Sequence, residues 1–266
     1  MNRLLNVAFV FASIITLVSC GQNTDNDKDK YLKIHKEVLT IDTHTDTPLN
    51  MLKPEFDMGV KHDPEESYTC IDYPRMKAGG LDAAFFAVYI GQGTRTPEGH
   101  QKAKQRALTI FDSIHQSVNT HSDKAELALK ASDAKKIEAK GKQAIYIGVE
   151  NGYPLAHNLA NIDTFYNLGA RYISLSHTSN NDLCDSSTDS DGPEHNGLSE
   201  FGKKVVHKMN RKGMLIDVSH ISDQAFYDVI DESKAPVIAS HSCARAICDS
   251  PRNLSDNMLQ QLKENG

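Results

Sequence analysis

A histidine and an aspartate two residues apart close an apolar run, Val38-Leu39-Thr40-Ile41-Asp42-Thr43-His44-Thr45-Asp46. Successive side chains of a strand alternate faces, so His44 and Asp46 share one side, about 6.6 Å apart along the chain. A neutral imidazole beside a carboxylate suits zinc, manganese or iron. The plainer alternative makes His44 a strand cap and Asp46 the cap of a turn before Pro48. Similar residues end later apolar runs: Glu150 after AIYIGV, His177 after YISLS, His220 after MLIDV and Ser219, His241 after a run over 236–239. Five of these form a two-metal set, with His44 and Asp46 on one ion, His220 and His241 on the other, and Glu150 bridging. Two ions about 3.5 Å apart can lower the pKa of a bridging water and clamp a tetrahedral intermediate. A neutral bridging side chain would leave two like charges uncompensated. A lone strand-end histidine is more often a packed, hydrogen-bonded residue; four on one rim, with two carboxylates, favour the metal.

The elements that must position these residues alternate. Strands are expected over 38–46, 81–90, 144–149, 172–176, 214–218 and 236–239, and helices over 97–120, 124–140, 162–168, 199–212, 222–233 and 255–264. A long irregular stretch, with a short helix, is expected between Asp46 and Gly80. Strand-helix alternation gives a parallel α/β sheet. In an open sheet the first and last strands could not share a site, whereas a TIM-like (β/α)8 barrel gathers every strand end at one mouth. We therefore expect a barrel of the metal-dependent hydrolase type. Only six strand-helix units are visible, so we expect the chain to lack roughly the last quarter of a closed barrel.

Composition narrows the function. The 266 residues suffice for one large domain, and a formal charge of -6 with scattered lysines gives no basic footprint for nucleic acid. Arg3, the apolar stretch from Leu4 to Val18 and the ending Leu17-Val18-Ser19-Cys20 have the anatomy of an export signal. That ending resembles a bacterial lipobox, which would make Cys20 a lipidated first residue. The expected organisation is a lipoprotein signal peptide over 1–20, a flexible linker over 21–34 and an incomplete catalytic domain over 35–266. The expected location is a bacterial membrane, on its periplasmic or cell-surface face. Cys70, Cys184, Cys243 and Cys248 show no recognisable disulfide spacing.

The segments IDTHTD at 41–46, GVENG at 148–152, LSHTSNN at 175–181, GLSEFGKKVVHKMNRKGMLIDVSH at 197–220 and PVIASHSCARAICDSPRN at 236–253 resemble, in order, the signatures of the membrane (renal) dipeptidases, the M19 metallopeptidases. The resemblance implies a binuclear zinc site that hydrolyses dipeptides. It makes His44 and Asp46 ligands of one zinc, Glu150 the bridge, and His220 and His241 ligands of the other. His177 falls on the histidine that contacts substrate and steadies the tetrahedral intermediate, and Arg252 on the substrate-binding arginine. The chemistry agrees: a planar guanidinium suits the terminal carboxylate of a dipeptide, and His177 could donate to an oxyanion. Arg245 ranks second as an anion contact. Asp182, Asp185, Asp189 and Asp191 read as a solvated loop rather than further ligands. The family's late strands and a further aspartate lie beyond Gly266, and the aromatic residue that follows the His177 block in animal members is missing. Two other functions stay open: a binuclear hydrolase of lactones, β-lactams or phosphoesters, and a lipoprotein that binds metal or peptide without turnover. A homodimer is the expected assembly.

Overall fold

The computed structural model describes residues 24–67 and 69–266. The signal-peptide reading and Cys20 fall outside the described residues. The chain divides after Val38 into two units. In the first, helix α1 (Thr24–Glu37) occupies most of the stretch read as a flexible linker. Its basic last turn, with His35 and Lys36, complements the helix dipole. Lys33 and Glu37 form an i,i+4 pair at 3.9 Å.

The second unit starts at Leu39, four residues later than the expected domain boundary. It runs β1 (Ile41–Thr45), a 3-10 turn (Thr47–Leu52), α2 (Pro64–Ser67), α3 (Tyr73–Gly79), β2 (Ala83–Tyr89), α4 (Pro97–Thr120), β3 (Ala125–Leu127), α5 (Asp133–Glu138) and β4 (Gln143–Glu150). It continues through a 3-10 turn (Tyr153–Leu155), α6 (Ala160–Asn167), β5 (Ala170–Ser174), α7 (Glu200–Lys212), β6 (Leu215–Asp217), α8 (Asp223–Glu232) and α9 (Asp256–Asn265). The main path of the sheet is β1-β2-β4-β5-β6, all parallel, and β3 pairs with the start of β4.

Two expectations change. The helix read over 124–140 is cut at its start, because Ala125–Leu127 pairs with Gln143–Ile145 and Ala128 N–H donates to the Ile145 carbonyl at 2.8 Å. Backbone pairing against a buried strand overrides the helix propensity of AELALK. The last expected strand is reduced to one parallel bridge, Asp217 to Ile238, flanked by Val218 N–H to Ile238 O at 2.8 Å and Ile238 N–H to Ile216 O at 2.9 Å.

Every residue of β4 is buried, as expected of a strand covered on both faces. On the outer face Phe86, Ile145, Ile147 and Ile173 meet the apolar stripes of the helices, among them Ile110, Phe111 and Ile114 of α4. On the inner face Phe85 stacks on Tyr146 at 4.8 Å and on Tyr172 at 5.1 Å. Helix ends follow the sequence: Ser199, Ser222 and Ser255 accept the N–H groups of Gly202, Ala225 and Met258, and Gly213 closes α7 in the left-handed region at φ 72°. The sheet curls far enough for its outer strands to meet. Thr43 Oγ1 donates to the Ser240 carbonyl at 2.5 Å, across 197 positions of sequence, and the His44 and His241 rings stack at 3.9 Å. This is part of a barrel wall.

Candidate metal centre

Each side chain of the site arrives at a strand end. A register shift in β1 between Asp42 and Thr45 re-aims the strand where it delivers His44. β1 ends at Thr45, so Asp46 begins the 3-10 turn at φ -83°, ψ 8° rather than continuing the alternation. Asp46 still comes within 3.7 Å of His44 Nε2, with its side chain 57% exposed. Glu150 closes β4, opposite Tyr89 of β2. Asn151, the next residue, is left-handed at φ 79°, and its side chain donates to the Ile90 carbonyl at 2.9 Å. His220 is also left-handed, at φ 77°, and its carbonyl accepts from Ser187 N–H at 2.8 Å. Such conformations cost about 1–3 kcal/mol and persist only where the surroundings fix them.

Glu150, 3% exposed, is the hub. Its Oε2 lies 3.3 Å from His44 Nε2, and its Oε1 lies 3.0, 3.4 and 3.6 Å from the Nε2 atoms of His220, His241 and His177. His220 and His241 Nε2 are 2.8 Å apart, and the Arg252 guanidinium reaches within 3.2 Å of His220 Nε2. Two compact donor groups result, His44-Glu150-His241 and Glu150-His177-His220, each with donor atoms within 4.8 Å of one another. They share Glu150. The expected set paired His220 with His241, whereas here His241 also closes on His44, and His177 stands only slightly farther from the hub than the proposed histidine ligands.

The electrostatics follow from this crowding. Burial favours a protonated Glu150, but the imidazoles of His220, His241 and His44 packed around it hold its carboxyl well below the usual range. Burial opposes charge on His44, yet Asp46 and Glu150 raise its imidazole. Burial pushes His220 down to about 4, against the pull of Glu150, and lowers His177 as well. A buried carboxylate facing several imidazole nitrogens whose lone pairs converge is a donor set that a dication satisfies and protons satisfy poorly. The residues present fit a metal.

Arg252 stands over this group: its guanidinium also donates to the His241 carbonyl and Ser242 Oγ, each at 3.3 Å. Arg245 is committed elsewhere, with both terminal nitrogens on Asp223 at 2.7 and 2.8 Å. The acidic loop holds no further donor group, but it is not simply solvated. Asp185 is 1% exposed and accepts the backbone N–H groups of Glu194, His195 and Gly197, while Asp182 takes His100 at 2.8 Å and His157 at 3.1 Å. Two tyrosines that no motif marks join the site. Tyr89 sets its ring 4.7 Å from His177, and Tyr172 places its hydroxyl 2.9 Å from His44 Nδ1. The signal for Tyr172 is Gly148, where an added Cβ would lie 2.0 Å from the tyrosine ring. Cys70, Cys184, Cys243 and Cys248 are all free.

A parallel α/β wall that curls to gather imidazoles and carboxylates at its strand ends defines the class: a TIM-barrel-type metallohydrolase fold. The chain belongs to the membrane dipeptidase family, peptidase family M19, whose model matches residues 28–266. It is 37% identical over 199 residues to dipeptidase tcpJ of Claviceps purpurea, covering 73% of this chain and 47% of that protein. It is 34% identical over 259 residues to dipeptidase verJ of Clonostachys rogersoniana, covering 91% and 64%. The probable dipeptidase PvdM of Pseudomonas aeruginosa has the same fold, with a TM-score of 0.84 at 28% identity over 91% of this chain and 62% of that one. The chain thus spans less than two thirds of the length of these relatives.

Proposed function

We propose that the whole protein is a zinc-dependent dipeptidase with a binuclear centre, exported and held at a membrane by lipid on Cys20. One observation carries the enzymatic part: a single buried carboxylate, Glu150, lies among four imidazoles, with His44 on one oxygen and His177, His220 and His241 on the other. His44, Asp46, Glu150, His220 and His241 would hold the ions. When bound, two zinc ions supply an acidified water and polarise the scissile carbonyl.

The remaining roles belong to the protein. His177 faces the hub with Nε2 and is partly open to solvent, so it can donate to the carbonyl oxygen as charge develops there. Arg252 has no carboxylate partner among the described residues, and burial lowers its pKa, so an anion beside it would be stabilising. The terminal carboxylate of a dipeptide meets that requirement. Both groups stand beside His220, the His177 ring 4.2 Å from its ring and the Arg252 guanidinium 3.2 Å from its Nε2, so one small substrate can touch both.

To test this, metal is stripped with a chelator, zinc is restored, and release of free amino acids is measured over a panel of dipeptides. Activity should vanish and return with zinc. Turnover indifferent to metal and to Glu150→Gln would sink the proposal, and turnover of a lactone with none of any dipeptide would favour another hydrolase of this architecture. The anchor rests on Leu17-Val18-Ser19-Cys20. Mass spectrometry of the mature N-terminus decides it.

A further inference from the structure

The four clustered imidazoles differ at their outer nitrogens. Nδ1 of His177 and of His220 is buried without a hydrogen-bond partner among the described residues. His44 Nδ1 meets the Tyr172 hydroxyl, and His241 Nδ1 lies 2.7 Å from Ser240 Oγ. The contact to Ser240 has a direction, because that hydroxyl has a second partner. Ser240 Oγ is 2.6 Å from Asp217 Oδ2, while Asp217 Oδ1 receives the backbone N–H groups of Ser219 and Ser240, each at 3.0 Å. A carboxylate only accepts, so the single hydroxyl proton of Ser240 goes to Asp217. The lone pair left on Oγ then faces His241 Nδ1, which must carry a hydrogen. A neutral imidazole has one such hydrogen. Nε2, the atom facing Glu150 and His220, therefore keeps its lone pair.

The surroundings hold this arrangement in place. Asp217 and Ser219 are 0% exposed and Ser240 is 7% exposed. The His241 N–H donates to Ser219 Oγ at 3.1 Å, and the Ser240 carbonyl is fixed by Thr43. Water has little access to replace any of these bonds.

We infer that Asp217 and Ser240 are positioning residues that lock His241 in its Nδ1–H tautomer, so that Nε2 presents an electron pair to a divalent cation. The inference rests on the metal-centre reading and adds to it two residues outside the donor set. Loss of such an outer partner typically weakens metal binding about 10–100-fold.

Asp217→Asn separates this role from simple packing. The amide nitrogen cannot take the Oδ1 position, where two backbone N–H groups already point, so it must face Ser240 Oγ and donate to it. The Ser240 proton then turns to His241 Nδ1, and the imidazole hydrogen moves to Nε2. Asparagine, nearly the same shape, should therefore harm cation binding as much as Ser240→Ala. Ser240→Thr keeps the hydroxyl and should not.

The experiment has two arms. In metal-stripped protein labelled with 15N-histidine, long-range NMR correlations report each tautomer, and His241→Gln identifies the His241 signal. Wild type and Ser240→Thr should show Nδ1–H, and Asp217→Asn should show Nε2–H. In the second arm, Zn2+ titration against a competing chelator should show one ion weakened about 10–100-fold in Ser240→Ala and Asp217→Asn, with Ser240→Thr close to wild type. An Nε2–H tautomer in the wild type, or equal Zn2+ affinity in all four proteins, overturns the relay. Failure of the wild type to take up Zn2+ overturns the metal-centre reading and the cation half of this inference with it. If both damaging substitutions unfold the protein, the wild-type tautomer decides.

Discussion

At the scale of single residues, Glu150 and Arg252 carry separable roles. Glu150→Gln keeps the volume but removes the negative charge that faces four imidazoles. Calorimetry should show Zn2+ affinity reduced by more than about a hundredfold, beyond what an outer partner contributes, with activity lost in step. Arg252→Ala leaves the donors in place and removes the fork that would hold a substrate carboxylate. A charge-assisted hydrogen bond contributes about 1.5–3 kcal/mol, so KM for a dipeptide should rise roughly 10–100-fold at unchanged zinc content. A dipeptide with an amidated terminus should lose little, and an equal penalty on both substrates would remove Arg252 from the carboxylate site. Cys184 makes a further residue-scale case. Burial pushes its thiol up to about 12, which leaves almost no thiolate at pH 8. Native protein should resist alkylation at Cys184 while the exposed Cys70, Cys243 and Cys248 react, and urea should equalise them.

At the scale of elements, the site depends on how strand ends are packed and capped. Gly148 lets the Tyr172 ring lie across β4, and Tyr172 in turn touches His44. Gly148→Ala forces that ring aside, so we expect an overpacking loss of about 1–3 kcal/mol together with weaker zinc binding. A stability loss in urea denaturation with zinc affinity untouched would show that Tyr172 does not support His44. Helix α8 follows the His220 strand end, and its first turn is closed by the Ser222 hydroxyl on Ala225 N–H. Ser222→Ala should cost about 0.5–2 kcal/mol, and Ser222→Asp should recover most of it.

For the molecule as a whole, the donors tie together strands far apart in sequence. His44 enters from β1, Glu150 from β4, and His241 from beyond the bridge at Ile238, so a bound cation stabilises the curled sheet and not the open one. A ligand that binds only the folded state stabilises it by about 4 kcal/mol at a thousandfold excess over Kd. Chelation should therefore lower the melting temperature by several degrees, and zinc should restore it. A melting temperature indifferent to chelator would mean that the centre does not brace the fold.

Much of this was legible in the residues alone. Buried parallel strands read as apolar runs, helix starts as Ser199, Ser222 and Ser255, and the site as polar residues placed at the ends of those runs, because these signals are local and a side chain's period or a helix start needs no distant partner. The cut in the helix read over 124–140, the single bridge at Ile238 and the outward turn of Asp46 were not legible, since each depends on backbone pairing that a local pattern does not encode. Nor did spacing reveal that His241 reaches His44 as well as His220, or that Asp217 and Tyr172 stand behind the imidazoles. Chemical type was written in the chain, but proximity came only from the curvature of the sheet, which brings positions 43 and 240 within one hydrogen bond.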